Sequence, residues 1–138
     1  MTRLMIERER PDYPQVSTAV RRLRPECQWW MEGESLEGLH WDESNTVDPP
    51  TQEEIDAEIE IVRAEAINFW LRRQRDRLLY ETDWIVTKYT ELGQPMPEEW
   101  KNYRQALRDI TENISDIVID PHDSTMLGNV NWPEKPSA

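Results

Sequence analysis

Cysteine and histidine are scarce in this sequence. Cys27 is the single cysteine among 138 residues. An intrachain disulfide therefore cannot form, and an intracellular or virion protein is expected rather than a small secreted domain. His40 and His122 lie in different segments, and neither stands in a pattern typical of metal ligands. We expect no metal site, and we expect Cys27 to be packed and inert.

Glycine-rich loops and long apolar runs are also missing. The four glycines are scattered along the chain, so none of them builds a phosphate-binding loop. No stretch approaches the length needed to cross a bilayer, which predicts a soluble protein without a membrane partner. Carboxylates are abundant, but abundance in an acidic chain does not indicate a matched acid and base. We expect no cofactor and no enzymatic activity.

Positive charge is in deficit, since the formal net charge is -12. A strongly acidic chain repels nucleic acid at the distances that govern encounter, so direct binding to DNA or RNA is not expected. An acidic mimic of DNA is compatible with this net charge. However, Arg72, Arg73, Arg75 and Arg77 interrupt a uniform anionic face.

Hydrophobic residues make up only 37% of the chain, and seven tryptophans stand against one phenylalanine. The apolar area available for burial is modest for this length, so a self-sufficient core is doubtful. Tryptophan combines a large apolar surface with an N–H donor, a combination that is common at protein interfaces. We therefore expect other protein chains to provide much of the stabilising contact, with an oligomer in an assembly as one possibility.

Residues 1–48 are expected to form an N-terminal module. Apolar residues at helical spacing, followed by Pro25, predict a short amphipathic helix in the segment VSTAVRRLRP. The segments ECQWWMEG and GLHWDES then predict two short strands around a turn between Gly33 and Gly38. A two-stranded element cannot bury Trp29, Trp30 and Trp41 by itself, so we predict that these side chains bind another protein.

Residues 49–110 are expected to form a second segment, which begins after the break at Pro49 and Pro50. Thr51 and Glu54 have the spacing of a capping box, which marks the start of a long helix reaching Tyr80 or beyond. Its predicted apolar face contains Ile55, Ile59, Val62, Ala66 and Phe69.

A second helix is predicted from about Pro97 to Ile110, after an interruption between Gly93 and Pro97. Four of its residues form one continuous stripe: Trp100, Tyr103, Leu107 and Ile110. We expect this stripe to pack on the long helix in a helical hairpin, with Arg104 and Arg108 flanking the seam. The contacts expected from the long helix are Leu78, Leu79 and Trp84.

Residues 111–138 are acidic and irregular, and they end in the extended strip NVNWPEKPSA. Trp132 in this strip has two open interpretations, because it can anchor a partner protein or fold back on the helical hairpin near Trp84 or Trp100. The predicted fold class is therefore α+β and mainly α. It combines a small helix plus β-hairpin, a long helix with a helical hairpin, and an extended strip.

Three stretches of the second half carry a family resemblance: RRQRDRLLYETDW, EEWKNYRQALRDI and VNWPEKP. Their shared pattern is an arginine-rich helix ending in Leu-Leu and Asp-Trp, then Trp, Tyr-Arg-Gln and Leu-Arg-Asp, and finally Trp-Pro. In this order the chain resembles the C-terminal module of tailed-phage tail assembly chaperones, also described as tail fibre assembly proteins. The insert between Thr111 and Asn129 is longer than the family pattern implies.

The resemblance implies a non-enzymatic protein that binds a tail fibre or another tail or baseplate protein and assists its folding in the host cytoplasm. The alternative is a permanent structural component of the virion tail, such as an adaptor. Under either reading the arginines and aromatic residues of the second half are predicted to form a protein-binding surface together with the three tryptophans of the hairpin. Those second-half residues are Arg75, Trp84, Trp100, Tyr103, Arg104, Arg108 and Trp132.

Overall fold

The structure, a computed structural model, describes residues 10–137. It divides into two compact units, Met1–Ala66 and Ile67–Ala138, and one long helix runs through the boundary. Helices dominate, and two small antiparallel strand pairs complete the described part. The predicted class, α+β and mainly α, is confirmed.

The first unit begins with helix α1 (Val16–Leu23), which ends just before Pro25 as predicted. A hairpin follows, made of strand β1 (Trp29–Met31) and strand β2 (Leu39–Trp41), with a 3-10 turn at Leu36–Gly38 between them. Their antiparallel register pairs Trp29 with Trp41 and Trp30 with His40. Gly38 is required in the turn, because a Cβ there would lie 2.0 Å from the backbone oxygen of Glu32.

The core of the first unit is built from α1, the hairpin and the start of the long helix. Ala19, Val20 and Ile55 are fully buried at its centre, and one side of the hairpin covers them. One arginine of α1 pairs with the long helix outside this core. The Arg22 guanidinium lies 3.1 Å from a carboxylate oxygen of Glu58 and 2.9 Å from one of Glu65.

The long helix is α2 (Gln52–Leu92), and both of its ends are encoded locally. At the start, the backbone N–H of Glu54 donates to Thr51 Oγ1 and the backbone N–H of Thr51 donates to Glu54 Oε1, each at 3.2 Å. At the end, Gly93 adopts a φ of 62° and the N–H of Gln94 reaches back to the carbonyl of Tyr89. These are a capping box and a Schellman motif.

The buried positions of α2 change between the two units. Val62 and Ala66 continue the predicted apolar stripe, but the next residue, Ile67, is also buried and Phe69 is only half-buried. From Ile67 onward a different set of positions packs, beginning with Leu71. The prediction that Phe69 extends the first stripe was therefore wrong, because the second unit uses its own series of helix positions.

The second helix of the hairpin is α3 (Glu98–Arg108), and a 3-10 turn at Asp109–Glu112 ends it. Trp100, Tyr103 and Leu107 are buried as the predicted stripe required. Leu78 and Leu79 of α2 pack on them, but Trp84 is 55% exposed and Ile85 takes its place. The expected contact of Trp84 was wrong because Ile85, three residues after buried Thr82, lies on the packed side of α2.

Residues 111–137 pack on the second unit more closely than an extended tail would. Strand β3 (Val118–Ile119) pairs with strand β4 (Leu127–Gly128), a hairpin that the sequence interpretation did not include. Ile117 is buried with Ile67 and Leu71. Trp132 packs against this cluster and against the cluster of Trp100, so the fold-back interpretation describes its position.

The compact units follow other boundaries than the predicted segments 1–48, 49–110 and 111–138. The start of α2 completes the first core, and the residues after 110 complete the second. Whether the three predicted segments behave as separate modules stays a prediction.

Candidate protein-binding face of the long helix

One side of α2 in the second unit carries two exposed aromatic rings. Tyr80 is 78% exposed and Trp84 is 55% exposed. Together with Arg73 and Arg77 they follow steps of four, three and four residues, so all four lie on one side of the helix, away from buried Leu71. We call these four residues the outer face. Tryptophan, tyrosine and arginine are the residue types most enriched among energetically dominant interface residues.

A groove lies at the N-terminal end of the outer face. It has a volume of about 470 Å³, and its lining residues from α2 and from the loop before β4 are Trp70, Arg73, Gln74, Arg77, Thr125 and Met126. The Arg73 guanidinium lies 5.9 Å from the centroid of the Trp70 ring, within the range of a cation–π contact. Phe69 packs edge-on against the same ring at 4.9 Å. We call this cavity the arginine groove.

The loop wall of the groove is fixed by Asp123. Its carboxylate accepts hydrogen bonds from the Thr125 hydroxyl at 2.6 Å and from the Thr125 backbone N–H at 2.9 Å. These two bonds lower the pKa of the Asp123 carboxyl below its ordinary value, because they favour the charged form. The Asp123 carboxylate therefore helps to order the turn that carries Thr125 to the groove.

The arginines of α2 differ in what they contact. Arg75 pairs with its neighbour Asp76 at 3.0 Å. Within residues 10–137, no carboxylate forms a salt bridge with Arg72, Arg73 or Arg77, and all three are exposed. These three arginines are therefore exposed positive charges without a salt bridge in the described part of a chain whose net charge is -12.

Arg104 is a structural residue of the helical hairpin formed by α2 and α3, whereas Arg108 is exposed. Arg104 is only 8% exposed and donates to the Leu79 carbonyl at 2.9 Å, to Thr82 Oγ1 at 2.7 Å and to Asp83 Oδ1 at 2.9 Å. Burial, together with the negative charge of Glu81, raises the pKa of the neighbouring Tyr103 hydroxyl. The sequence placed both arginines beside the seam, whereas only Arg104 enters it.

The tryptophans of the first unit also divide into residues that pack against the core and one that is exposed. Trp29 and Trp41 are half-buried against the core, and Trp41 Nε1 donates to the Val47 carbonyl at 3.0 Å. Trp30 is 56% exposed and stacks on His40, with ring centroids 3.7 Å apart. The two-stranded hairpin leaves Trp30 exposed, whereas α1 and α2 cover Trp29 and Trp41, and the binding of another protein by these tryptophans stays a prediction.

Of the second-half residues predicted to bind protein, Trp84 and Arg108 are exposed in the second unit. Four others pack wholly or partly inside it: Trp100, Tyr103, Arg104 and Trp132. Tyr80 and the groove residues were not among the predicted binding residues. A signal for Tyr80 was present, because it precedes Trp84 by four residues and lies off the buried stripe.

Among residues 10–137, no group of three or more His, Cys, Asp or Glu side chains is placed to hold a metal ion. No helix in that part of the chain is both long and apolar enough to span a membrane.

Comparison with known proteins identifies the second half of the chain. The family model described as Phage tail assembly chaperone protein matches residues 69–137. Searches of curated proteins and of solved structures gave no significant match. The matched residues include the outer face, the arginine groove and all of α3, and the resemblance inferred from the sequence motifs is confirmed. Because the family model covers half of the chain, the chain belongs to the phage tail assembly chaperone family.

Proposed function

We propose that the protein binds a tail fibre subunit, or another tail or baseplate subunit, in the host cytoplasm and assists its folding and assembly. The observation that carries this proposal is the family match over residues 69–137, which contains the outer face. Tyr80 and Trp84 present large ring surfaces there, and neither ring belongs to the buried cores. Rings of this kind supply contact area at a low cost in side-chain entropy when they bind a partner.

The proposed role is binding without turnover. An assembly chaperone must cover apolar surface of its client and later yield that surface to the client's own partners. The outer face suits this because its two rings are separated by one helical turn and are preceded on the same side by two charged arginine side chains. We therefore infer a non-enzymatic protein. Its action is measured by how much of the bound tail subunit folds and assembles.

The test is the yield of native tail fibre. Each tail fibre and baseplate subunit of the phage that encodes this protein is expressed with and without it, and soluble, assembled subunit is quantified by native gel and size-exclusion chromatography. The proposal predicts that the yield of one subunit rises in the presence of the protein. If every subunit assembles equally well without it, the proposed function is wrong.

A second candidate, a permanent adaptor in the virion tail, is favoured by a different observation. Trp30 and His40 form an exposed stacked pair in the first unit, outside the residues matched by the family. A protein with an aromatic surface in each unit has the means to hold two tail proteins at once. Mass spectrometry of purified virions separates the candidates, because an adaptor is present at a fixed ratio to tail proteins and a released chaperone is absent.

A further inference from the structure

The arginine groove has features that the proposed chaperone role does not by itself require. We propose that it binds an acidic, extended segment of the client tail subunit, in which an aspartate or glutamate stands beside an apolar residue. This inference rests on the proposed function and adds the chemical class of the bound segment. It is carried by charge complementarity between the groove and such a segment.

The cationic wall of the groove is the first observation. Arg73 and Arg77 lie one turn apart on α2, both line the cavity, and neither forms a salt bridge within residues 10–137. Elsewhere in the described part, arginines such as Arg22, Arg24 and Arg104 are engaged by carboxylates. Two unpaired guanidinium groups in one cavity attract an anion, and carboxylate is the anion that matches their paired donors.

The arrangement of Arg73 is the second observation. Its guanidinium lies near the Trp70 ring, which limits its motion before any ligand arrives. A guanidinium in a cation–π contact still has N–H donors available for a carboxylate. Part of the entropy cost of binding is therefore already met in the free protein.

The remaining lining residues suit the neighbours of the carboxylate in a peptide. Met126 is 52% exposed and, with Trp70, provides apolar surface for an adjacent aliphatic side chain. The side-chain amide of Gln74 can both donate and accept, as required for contact with a peptide backbone. These features favour an acidic peptide over an isolated small anion.

Nucleic acid would also meet arginine and tryptophan in such a cavity, but two features oppose it. The formal net charge of -12 repels a polyanion along its whole length, whereas a peptide with one or two carboxylates is repelled little. The groove also joins a helix to a short loop and does not continue as a long basic channel among its lining residues.

The experiment uses the full chain and a fluorescently labelled synthetic peptide of alternating glutamate and leucine. Binding is followed by fluorescence anisotropy at low and at physiological salt. Control probes are the same peptide with lysine in place of glutamate, and an oligothymidine of similar length. The test variant is R73A/R77A. Its matched control is K88A/K101A, which removes the same two charges from exposed sites of the same unit outside the groove.

The expected result is that the glutamate peptide binds and the lysine peptide does not. R73A/R77A should weaken binding about tenfold, because charge-assisted hydrogen bonds are lost. K88A/K101A should change it less than about twofold, since neither lysine lines the groove. Equal weakening by both variants, tighter binding of oligothymidine, or no binding of the glutamate peptide would overturn the proposal.

Further results distinguish a failure of the groove inference from a failure of the proposed function. In analytical sedimentation, the wild-type protein should not self-associate through the groove. If it does self-associate and R73A/R77A removes that self-association, the groove binds a second copy of this chain instead. If the peptide fails to bind while the protein still raises the yield of a tail subunit, the groove inference is wrong and the chaperone role stands. If the peptide binds but no subunit responds, the proposed function fails alone.

Discussion

Arg104 shows how one residue connects the two helices of the second unit. Its side chain reaches across the hairpin to a backbone carbonyl, a hydroxyl and a carboxylate of α2. The Asp83 side chain remains 57% exposed. The ion pair between Arg104 and Asp83 is therefore stabilised mainly by its geometry and by the burial of the Arg104 side chain. Removing the arginine leaves buried acceptors on α2 with fewer donors, and this loss costs more than removing an exposed charge.

We predict that Arg104→Ala lowers the free energy of unfolding by about 2–3 kcal/mol, because it deletes three hydrogen bonds from a partly dry seam. Arg108→Ala, at an exposed position on the same helix, is the control and should cost only about 0.5 kcal/mol. Chemical denaturation monitored by circular dichroism measures both. Similar losses for the two variants would show that Arg104 does not act through the seam.

At the scale of residues, the sequence predicted the important residue types better than the side of the helix on which each side chain lies. Three of the four residues of the predicted stripe are buried on α3 at helical spacing, whereas Ile110 lies in the following 3-10 turn and packs against a different cluster. Trp84 was expected to contact the stripe together with Leu78 and Leu79, although Ile85 occupies the packed side. Size alone does not fix orientation on a helix with apolar residues on several sides.

At the scale of elements, the start of α2 is fixed by the reciprocal bonds of Thr51 and Glu54. The backbone N–H of Thr51 lowers the pKa of the Glu54 carboxyl below its ordinary value of 4.5, with further help from Arg24. A carboxyl whose pKa is lowered by folding stabilises the protein above that ordinary value. The stabilisation is lost as the pH falls from 4.5 through the lower pKa of the folded state.

We therefore predict that Glu54→Gln lowers the Tm at pH 7 and that the gap to the wild type narrows at pH 3, because protonation of the wild-type carboxyl below its ordinary pKa removes the charge that the capping box favours. Glu53→Gln removes the same charge from the first turn without breaking the capping box, so its gap should be smaller at pH 7. Differential scanning calorimetry at the two pH values provides the comparison. A gap for Glu54→Gln that is unchanged by pH would contradict the role of its charge.

The C-terminal strip is the element whose role the structure changes most. Trp132 lies between the two apolar clusters of the second unit, and Val130 joins one of them. We predict that Trp132→Ala costs about 2 kcal/mol, since a partly buried indole is lost. Truncation after Gly128 should lower the Tm further, whereas truncation after Pro136 should leave it nearly unchanged. A truncation after Gly128 with an unaltered Tm would return Trp132 to the partner-binding interpretation.

Helices were easier to predict than the short strands. The capping box, Gly93 and the prolines mark the helix ends in the sequence itself. By contrast, β3 and β4 contain two residues each, which is too short for an alternating pattern to be recognised. Their pairing depends on packing of Ile117 and Ile119 against α2, a contact between residues far apart in the sequence.

At the scale of the whole molecule, each unit has its own core and its own exposed aromatic residues. The low hydrophobic content predicted dependence on partners, and the described residues leave Trp30, Tyr80 and Trp84 outside the cores. The family match, residues 69–137, lies wholly within the second unit, Ile67–Ala138. The identity of the client could not be predicted from the sequence, because recognition depends on the surface of another chain.

The central claim is that the outer face of α2 binds a tail subunit. The most direct measurement is the affinity of the full-length protein for the tail subunit whose yield it raises, compared with that of Y80A/W84A, by isothermal titration calorimetry. Both side chains are mostly exposed, so the variant should keep its Tm while its affinity falls about a hundredfold, as expected for two aromatic anchors. An unchanged affinity in a folded Y80A/W84A variant would contradict the claim.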